Sequence, residues 1–141
     1  MKNTTPYFVR RFVVTALILI ATCLTLEAAE SGWVGEYSDR KFLDGRAVFQ
    51  LSIEQSGGTM QVSFDAAWND GHGAAPEAEG PAKVSGNTLT FKFEDSFKNT
   101  GTGTITRAGN DIIVSLNPKH VVEPRALVFY KKNMRLKRVG K

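Results

Sequence analysis

From Ala47 onward, hydrophobic residues recur at every second position. Ala47, Phe49, Leu51 and Ile53 alternate with Arg46, Val48, Gln50, Ser52 and Glu54. After Gly57-Gly58, the residues Met60, Val62, Phe64 and Ala66 alternate with Gln61, Ser63 and Asp65. A period of two puts the apolar residues of a strand on one face, whereas a helix would scatter them around its axis. Two such runs joined by a short Gly-containing loop predict a β-hairpin. The pattern continues through Gly80, Ala82 and Val84, a Ser85-Gly86-Asn87 turn, and Leu89, Phe91 and Phe93. Gly101, Gly103 and Ile105 lead to an Ala108-Gly109-Asn110 turn, followed by Ile112, Val114 and Leu116. A first strand is expected around Trp33 to Tyr37. A last one is expected through Leu127 and Phe129, continuing toward Met134 and Leu136.

These segments number about eight, and no stretch after the amino-terminal region carries a helical stripe. Short sequential strands tied by tight turns predict an all-β domain, an antiparallel up-and-down barrel of about eight strands. Closure removes the unpaired edges that let exposed strands aggregate. Eight strands leave a lumen just wide enough to be filled by side chains or to hold one small ligand. A two-sheet β-sandwich is the alternative.

The amino terminus breaks the pattern. Lys2, Arg10 and Arg11 precede an uncharged apolar run from Phe12 to Leu26, and Glu27, Ala28, Ala29 and Glu30 follow. A basic start, a short apolar stretch and small residues at its end make a secretory signal peptide. The run is short for an anchor, because a membrane-crossing helix needs about 20 apolar residues. Residues 1–29 are therefore expected to be a signal peptide and residues 30–141 a single exported domain, periplasmic or secreted. Ile20-Ala21-Thr22-Cys23 resembles a bacterial lipoprotein box, but Thr22 stands where Gly, Ala or Ser is usual, so lipidation of Cys23 is not expected. Cleavage leaves about 110 residues without cysteine, a size that buries about two thirds of its unfolded surface and can fold without disulfides.

Composition is that of an ordinary globular chain, with 42% hydrophobic and 23% charged residues. The formal charge of +4 conceals an uneven distribution. Residues 131–141 carry six basic side chains and no acid, while residues 30–130 hold nine basic and thirteen acidic. A basic end could meet anionic lipid or an acidic protein, or be a solvated strand whose cations deter edge pairing. Membrane contact is expected only through the leader or this segment. Nucleic acid is not expected, since no surface aromatics interleave with the basic residues.

Gly32-Trp33-Val34-Gly35-Glu36-Tyr37 resembles the opening of the calycin group (lipocalins, fatty-acid-binding proteins, avidins), whose first strand carries a Gly-x-Trp element. The resemblance implies a barrel in which a basic side chain of the closing strand, here Arg135, Lys137 or Arg138, stacks on Trp33. Trp33 and Tyr37 are thus candidate ligand contacts, with plugging of the barrel floor as the structural reading of Trp33. GHGAAP and EDSF-x-N-x-GTGT are similar to segments of small exported bacterial proteins that lack an assigned activity.

Trp68 to Glu79 forms the longest irregular stretch between good strands, rich in Gly, Ala and Pro. Loops of this length are often binding loops or lids. Trp68, Asp70 and His72 are its candidate contacts, and a solvated loop is the default. His72 could act as a base near neutral pH. Even with Glu77 and Glu79, the set falls short of a metal cluster, so neither metal nor cofactor is expected. Alternation points Asp95 inward beside Phe91 and Phe93, where it must be hydrogen-bonded or reach solvent. The amides of the following loop, or Asn99, are its expected partners, and both residues join the candidate list. Gly101 and Gly103 open a space that a ring, a bend or a ligand could take.

No Ser, His and Asp arrangement occurs, and His72 and His120 are the only histidines. An enzyme is not expected. The function expected is a non-enzymatic exported protein holding a small apolar or amphipathic ligand in its barrel. The alternative is a periplasmic protein-binding module, an inhibitor or envelope accessory factor, acting through residues 68–79 or the basic terminus.

Overall fold

A computed structural model describes residues 32–140; the leader at 1–29, its cleavage site and Cys23 lie outside them. The barrel unit begins at Val34, and the N-terminal unit ends at Trp33, which is 1% exposed.

Eight antiparallel strands close in sequential order. They are β1 (Gly35–Lys41), β2 (Ala47–Ser56), β3 (Thr59–Trp68), β4 (Glu77–Ser85), β5 (Thr88–Asp95), β6 (Thr100–Ala108), β7 (Asp111–His120) and β8 (Met134–Arg138). The all-β up-and-down barrel expected from the alternation is therefore the architecture, not the sandwich. Each register follows the hydrophobic pattern. Phe49 faces Ala66 and Leu51 faces Phe64 across β2 and β3, which keeps the apolar set on the inner face. Closure between β1 and β8 rests on two register pairs, Tyr37 with Arg138 and Ser38 with Lys137.

Connections differ between the two ends. One end carries tight turns at Gly57-Gly58, Gly86-Asn87 and Gly109-Asn110. Both residues of the first have positive φ, 58° and 81°, as a tight hairpin turn demands. The other end is plugged. A turn at Phe42–Gly45 buries Phe42 and Leu43, and the segment 69–76 folds over Trp68. A 3₁₀ helix at Pro124–Phe129 completes the plug by burying Ala126 and Phe129.

That helix corrects the expected last strand through Leu127 and Phe129. Pro124 cannot donate to a ladder but suits the first turn of a helix, and the Glu123 carboxylate caps the Arg125 N–H. The closing strand starts only at Met134. The irregular stretch is likewise shorter than expected, because Trp68 ends β3 while Glu77 and Glu79 lie on β4.

Aromatic rings fill the lumen in a connected chain. Phe42 stacks on Phe129 at 5.7 Å and tilts against Phe49 at 5.6 Å. Phe49 stacks on Phe64 at 5.6 Å, and Phe64 meets Phe93 edge-on at 5.3 Å. Of the three occupants considered for the Gly101–Gly103 space, it is the ring that takes it. A Cβ at Gly101 would lie 2.7 Å from the Phe93 Cζ, and one at Gly103 would overlap the Phe91 ring. Each buried Phe contributes about 1.5–3 kcal/mol by leaving water.

Candidate functional site

The residues singled out from the sequence fall into three separate places. Asp95 and Asn99 lie at the plugged end, where β5 turns into β6, and are 2% and 0% exposed. Asp95 Oδ1 accepts the Phe97 N–H at 2.8 Å and the Asn99 N–H at 2.9 Å. Its Oδ2 accepts the Asn99 Nδ2–H at 2.8 Å and the Tyr130 hydroxyl. Asn99 Oδ1 in turn accepts the Val122 N–H at 2.7 Å and the Glu123 N–H at 2.9 Å. A buried carboxylate is tolerable only when its lone pairs are occupied, and here both oxygens are. The pair works as a latch tying the β5–β6 turn to the segment that leads into the 3₁₀ helix. Burial and the Asp95 carboxylate push the Tyr130 hydroxyl well above the usual tyrosine range. The expected partners of Asp95 are the ones it has, and none of its bonds reaches outward to a ligand.

Trp68, Asp70 and His72 organise the β3–β4 connection. Trp68 Nε1–H donates to the Ala74 carbonyl at 3.2 Å, and its ring meets Phe129 edge-on at 5.1 Å. Asp70 Oδ1 accepts the His72 N–H at 3.0 Å, an Asx turn that shapes the loop locally. The His72 side chain is exposed. Among the described residues, no group of three His, Cys, Asp or Glu side chains has a geometry that would hold a metal ion.

Tyr37 lies at the opposite end from the latch. The Arg138 guanidinium sits 4.9 Å from the Tyr37 ring centroid and donates to its hydroxyl at 2.7 Å. Arg138 also donates to the Val34 carbonyl at 2.9 Å and the Asn110 carbonyl at 3.3 Å. A closing-strand arginine therefore lies over an aromatic ring of the first strand, Tyr37. Burial raises the Tyr37 hydroxyl above its ordinary pKa, with the Arg138 charge opposing the shift.

A fourth place went unread in the sequence. The outer faces of β1 to β5 form a groove enclosing about 670 Å³, lined on the polar side of the alternation. Two cross-strand rows build it. In one, Glu36 faces Ser52, Ser52 faces Ser63, Ser63 faces Glu79 and Glu79 faces Glu94. In the other, Ser38 faces Gln50, Gln50 faces Asp65 and Asp65 faces Glu77. Short hydroxyl residues in the middle leave the hollow, and carboxylates crowd the β3–β5 side. Asp65 against Glu77 and Glu79 against Glu94 are like charges placed directly opposite, an arrangement that destabilises a sheet. Lys98 relieves one of them, bridging Glu94 at 2.9 Å. Glu36, Asp65, Glu77 and Glu79 make no salt bridge among the described residues. Ser38 lines the same groove, is 7% exposed, and its hydroxyl has no hydrogen-bond partner.

The signal was present as acids at i and i+2 on the polar face of one strand, Glu77 and Glu79, with Asp65 and Glu94 on its two neighbours. Treating Glu77 and Glu79 as loop residues hid it. No protein-family model, curated protein or solved structure matches this chain.

Proposed function

We propose that this chain is an exported, non-enzymatic binding protein in which a calycin-like barrel serves as a rigid scaffold and the outer β1–β5 groove is the binding surface. One observation carries the reading. The lumen is taken up by the protein's own rings, whereas the groove is an open hollow with unbalanced charge. Natural sheets pair opposite charges across strands. Two facing acid pairs cost stability in the free protein, and a bound partner that neutralises them returns it. This is the protein-binding alternative, acting through a surface other than the 68–79 loop or the basic terminus. A small apolar ligand in the lumen would require Phe91 or Phe93 to leave the space that Gly103 and Gly101 open.

A photo-crosslinking side chain at Ser52 or Ser63 tests the surface, with one at the Asn87 turn as control. Adducts with an exported-protein fraction from the groove positions and not from Asn87 are expected. Adducts from no position, or from Asn87 alone, overturn the reading. An apolar dye that binds the native chain, with no crosslink from either groove position, would favour the lumen instead.

A further inference from the structure

We infer that the plugged end of the barrel seats on an anionic membrane surface through Val121, Val122, Val128 and the lysines around them. The groove is a separate surface on the side wall, and this seat does not depend on it.

Five large hydrophobic side chains are exposed among the described residues, and three of them, Val121, Val122 and Val128, belong to one connection at the plugged end. Single exposed aliphatics need no explanation, but a local concentration marks an interaction surface. Neighbours on an extended segment point to opposite sides, so one of Val121 and Val122 could face inward, yet both stay outside. Val122 is the more open, at 56%. In the 3₁₀ helix that follows, side chains three apart eclipse. Ala126 and Phe129 share the face that enters the plug, which leaves Arg125 and Val128 on a face turned away.

The backbone holds the valines in place. The buried Asn99 carboxamide accepts the Val122 and Glu123 N–H groups, and the Lys131 carbonyl accepts the Leu116 N–H at 2.9 Å.

Charge points the same way. Lys119, Lys131 and Lys132 flank the valines, are exposed and make no salt bridge among the described residues. Glu123 is the only acid between Asn117 and Asn133, and Arg125 neutralises it. The other connections at this end set Lys41 and Arg46 against Asp39, Asp44 and Asp70, and Lys98 against Glu94, so the end stays net positive.

Aliphatic side chains ringed by cations suit a bilayer interface, where the valines enter the headgroup boundary and the lysines meet lipid phosphate. A protein partner fits less well. Anchors of such contacts are mostly Trp, Tyr or Arg, and residues 117–133 expose no Trp or Tyr and line no part of the groove. In a two-fold contact between copies the patch would meet itself, cation against cation.

The test places a polarity-sensitive fluorophore on Val122→Cys, Val128→Cys or, at the opposite end, Asn87→Cys. The chain lacks residues 1–29, so that the apolar run cannot itself enter a bilayer and no other cysteine is present. Vesicles of equal parts phosphatidylcholine and phosphatidylglycerol are expected to shift the emission of both valine-site labels to the blue and leave Asn87 unmoved. Phosphatidylcholine alone is expected to shift none. In co-sedimentation with the mixed vesicles, Lys119→Gln/Lys132→Gln is expected to bind about ten- to thirtyfold more weakly, near fivefold for each lysine lost. Val122→Ser is expected to cost about two- to fivefold. These side chains are exposed, so the variants should melt like the wild type, which separates lost contact from lost fold.

No shift at either valine site, an equal shift at Asn87, or equal shifts with phosphatidylcholine alone overturns the inference. Retention on soluble polyglutamate without a vesicle shift assigns the patch to an acidic protein and overturns it. So does a dimer of the chain alone that Val122→Ser dissolves. Crosslinks from Ser52 and Ser63 read the side wall only, so the groove and the membrane seat fail separately.

Discussion

At the scale of single residues, Asp95 and Asn99 show how a buried charge is made harmless. Asp95 has four donors, and Asn99 supplies two of them while its own amide holds Val122 and Glu123. Tyr130→Phe removes one donor and should cost about 1–3 kcal/mol in urea unfolding. Asn99→Ala strips one donor, the Nδ2–H, from the carboxylate and strands the Val122 and Glu123 amides, so its cost should exceed that of Tyr130→Phe. The two buried hydroxyls also set an alkaline limit. Tyr37 and Tyr130 both have raised folded values, so their contribution is complete below pH 10, the ordinary tyrosine value, and declines as pH rises beyond it. In a chain lacking residues 1–29, whose only tyrosines are Tyr37 and Tyr130, tyrosinate absorbance should therefore appear together with loss of β-sheet circular dichroism, and not before it. Asp95 was legible because alternation fixes which way a strand residue points. Tyr130 as its partner was not, since 35 positions separate them and nothing local in the sequence brings them together.

At the scale of elements, the strands read clearly because each buries one face only, so the pattern has period two with little noise. The 3₁₀ helix did not, because Leu127 and Phe129 imitate a strand while Pro124 and the Glu123 cap decide otherwise. The groove escaped because its residues are the polar half of the same alternation, which reads as ordinary solvent-facing surface until strand registers set the acids opposite one another. Gly101 and Gly103 make β6 thin where the rings of β5 cross it. Gly103→Ala should destabilise by about 1–3 kcal/mol through overlap with Phe91, and Phe91→Leu in the same chain should recover part of the loss. The helix cap gives an acid response. Arg125 holds the Glu123 carboxyl at about 2, below its ordinary 4.5. Its contribution is complete above pH 4.5 and fades as pH falls toward about 2. The ion pair is exposed, so the effect is local: Trp68 emission, set by its contact with Phe129, should change over that window in the wild type and much less in Glu123→Gln.

At the scale of the whole molecule, a barrel plugged at one end and tightly turned at the other leaves its broad outer wall as the place for recognition. Pairing is uneven around that wall. Ten register pairs join β2 to β3, three join β7 to β8 and two join β8 to β1. Amide hydrogen exchange should therefore be fastest along Met134–Arg138 and the facing part of β1, and slowest in the β2–β3 ladder. Arg138 reinforces this stretch by reaching from the last strand to Tyr37 and Val34 of the opening segment.

That short zipper between the first and last strands has a mechanical result. When the cylinder breathes it splits there first, and Ser38 sits on the lip. A guest lying across β1 to β5 would find its near edge loosening while its far edge holds, so escape would begin from that side and peel toward the carboxylates.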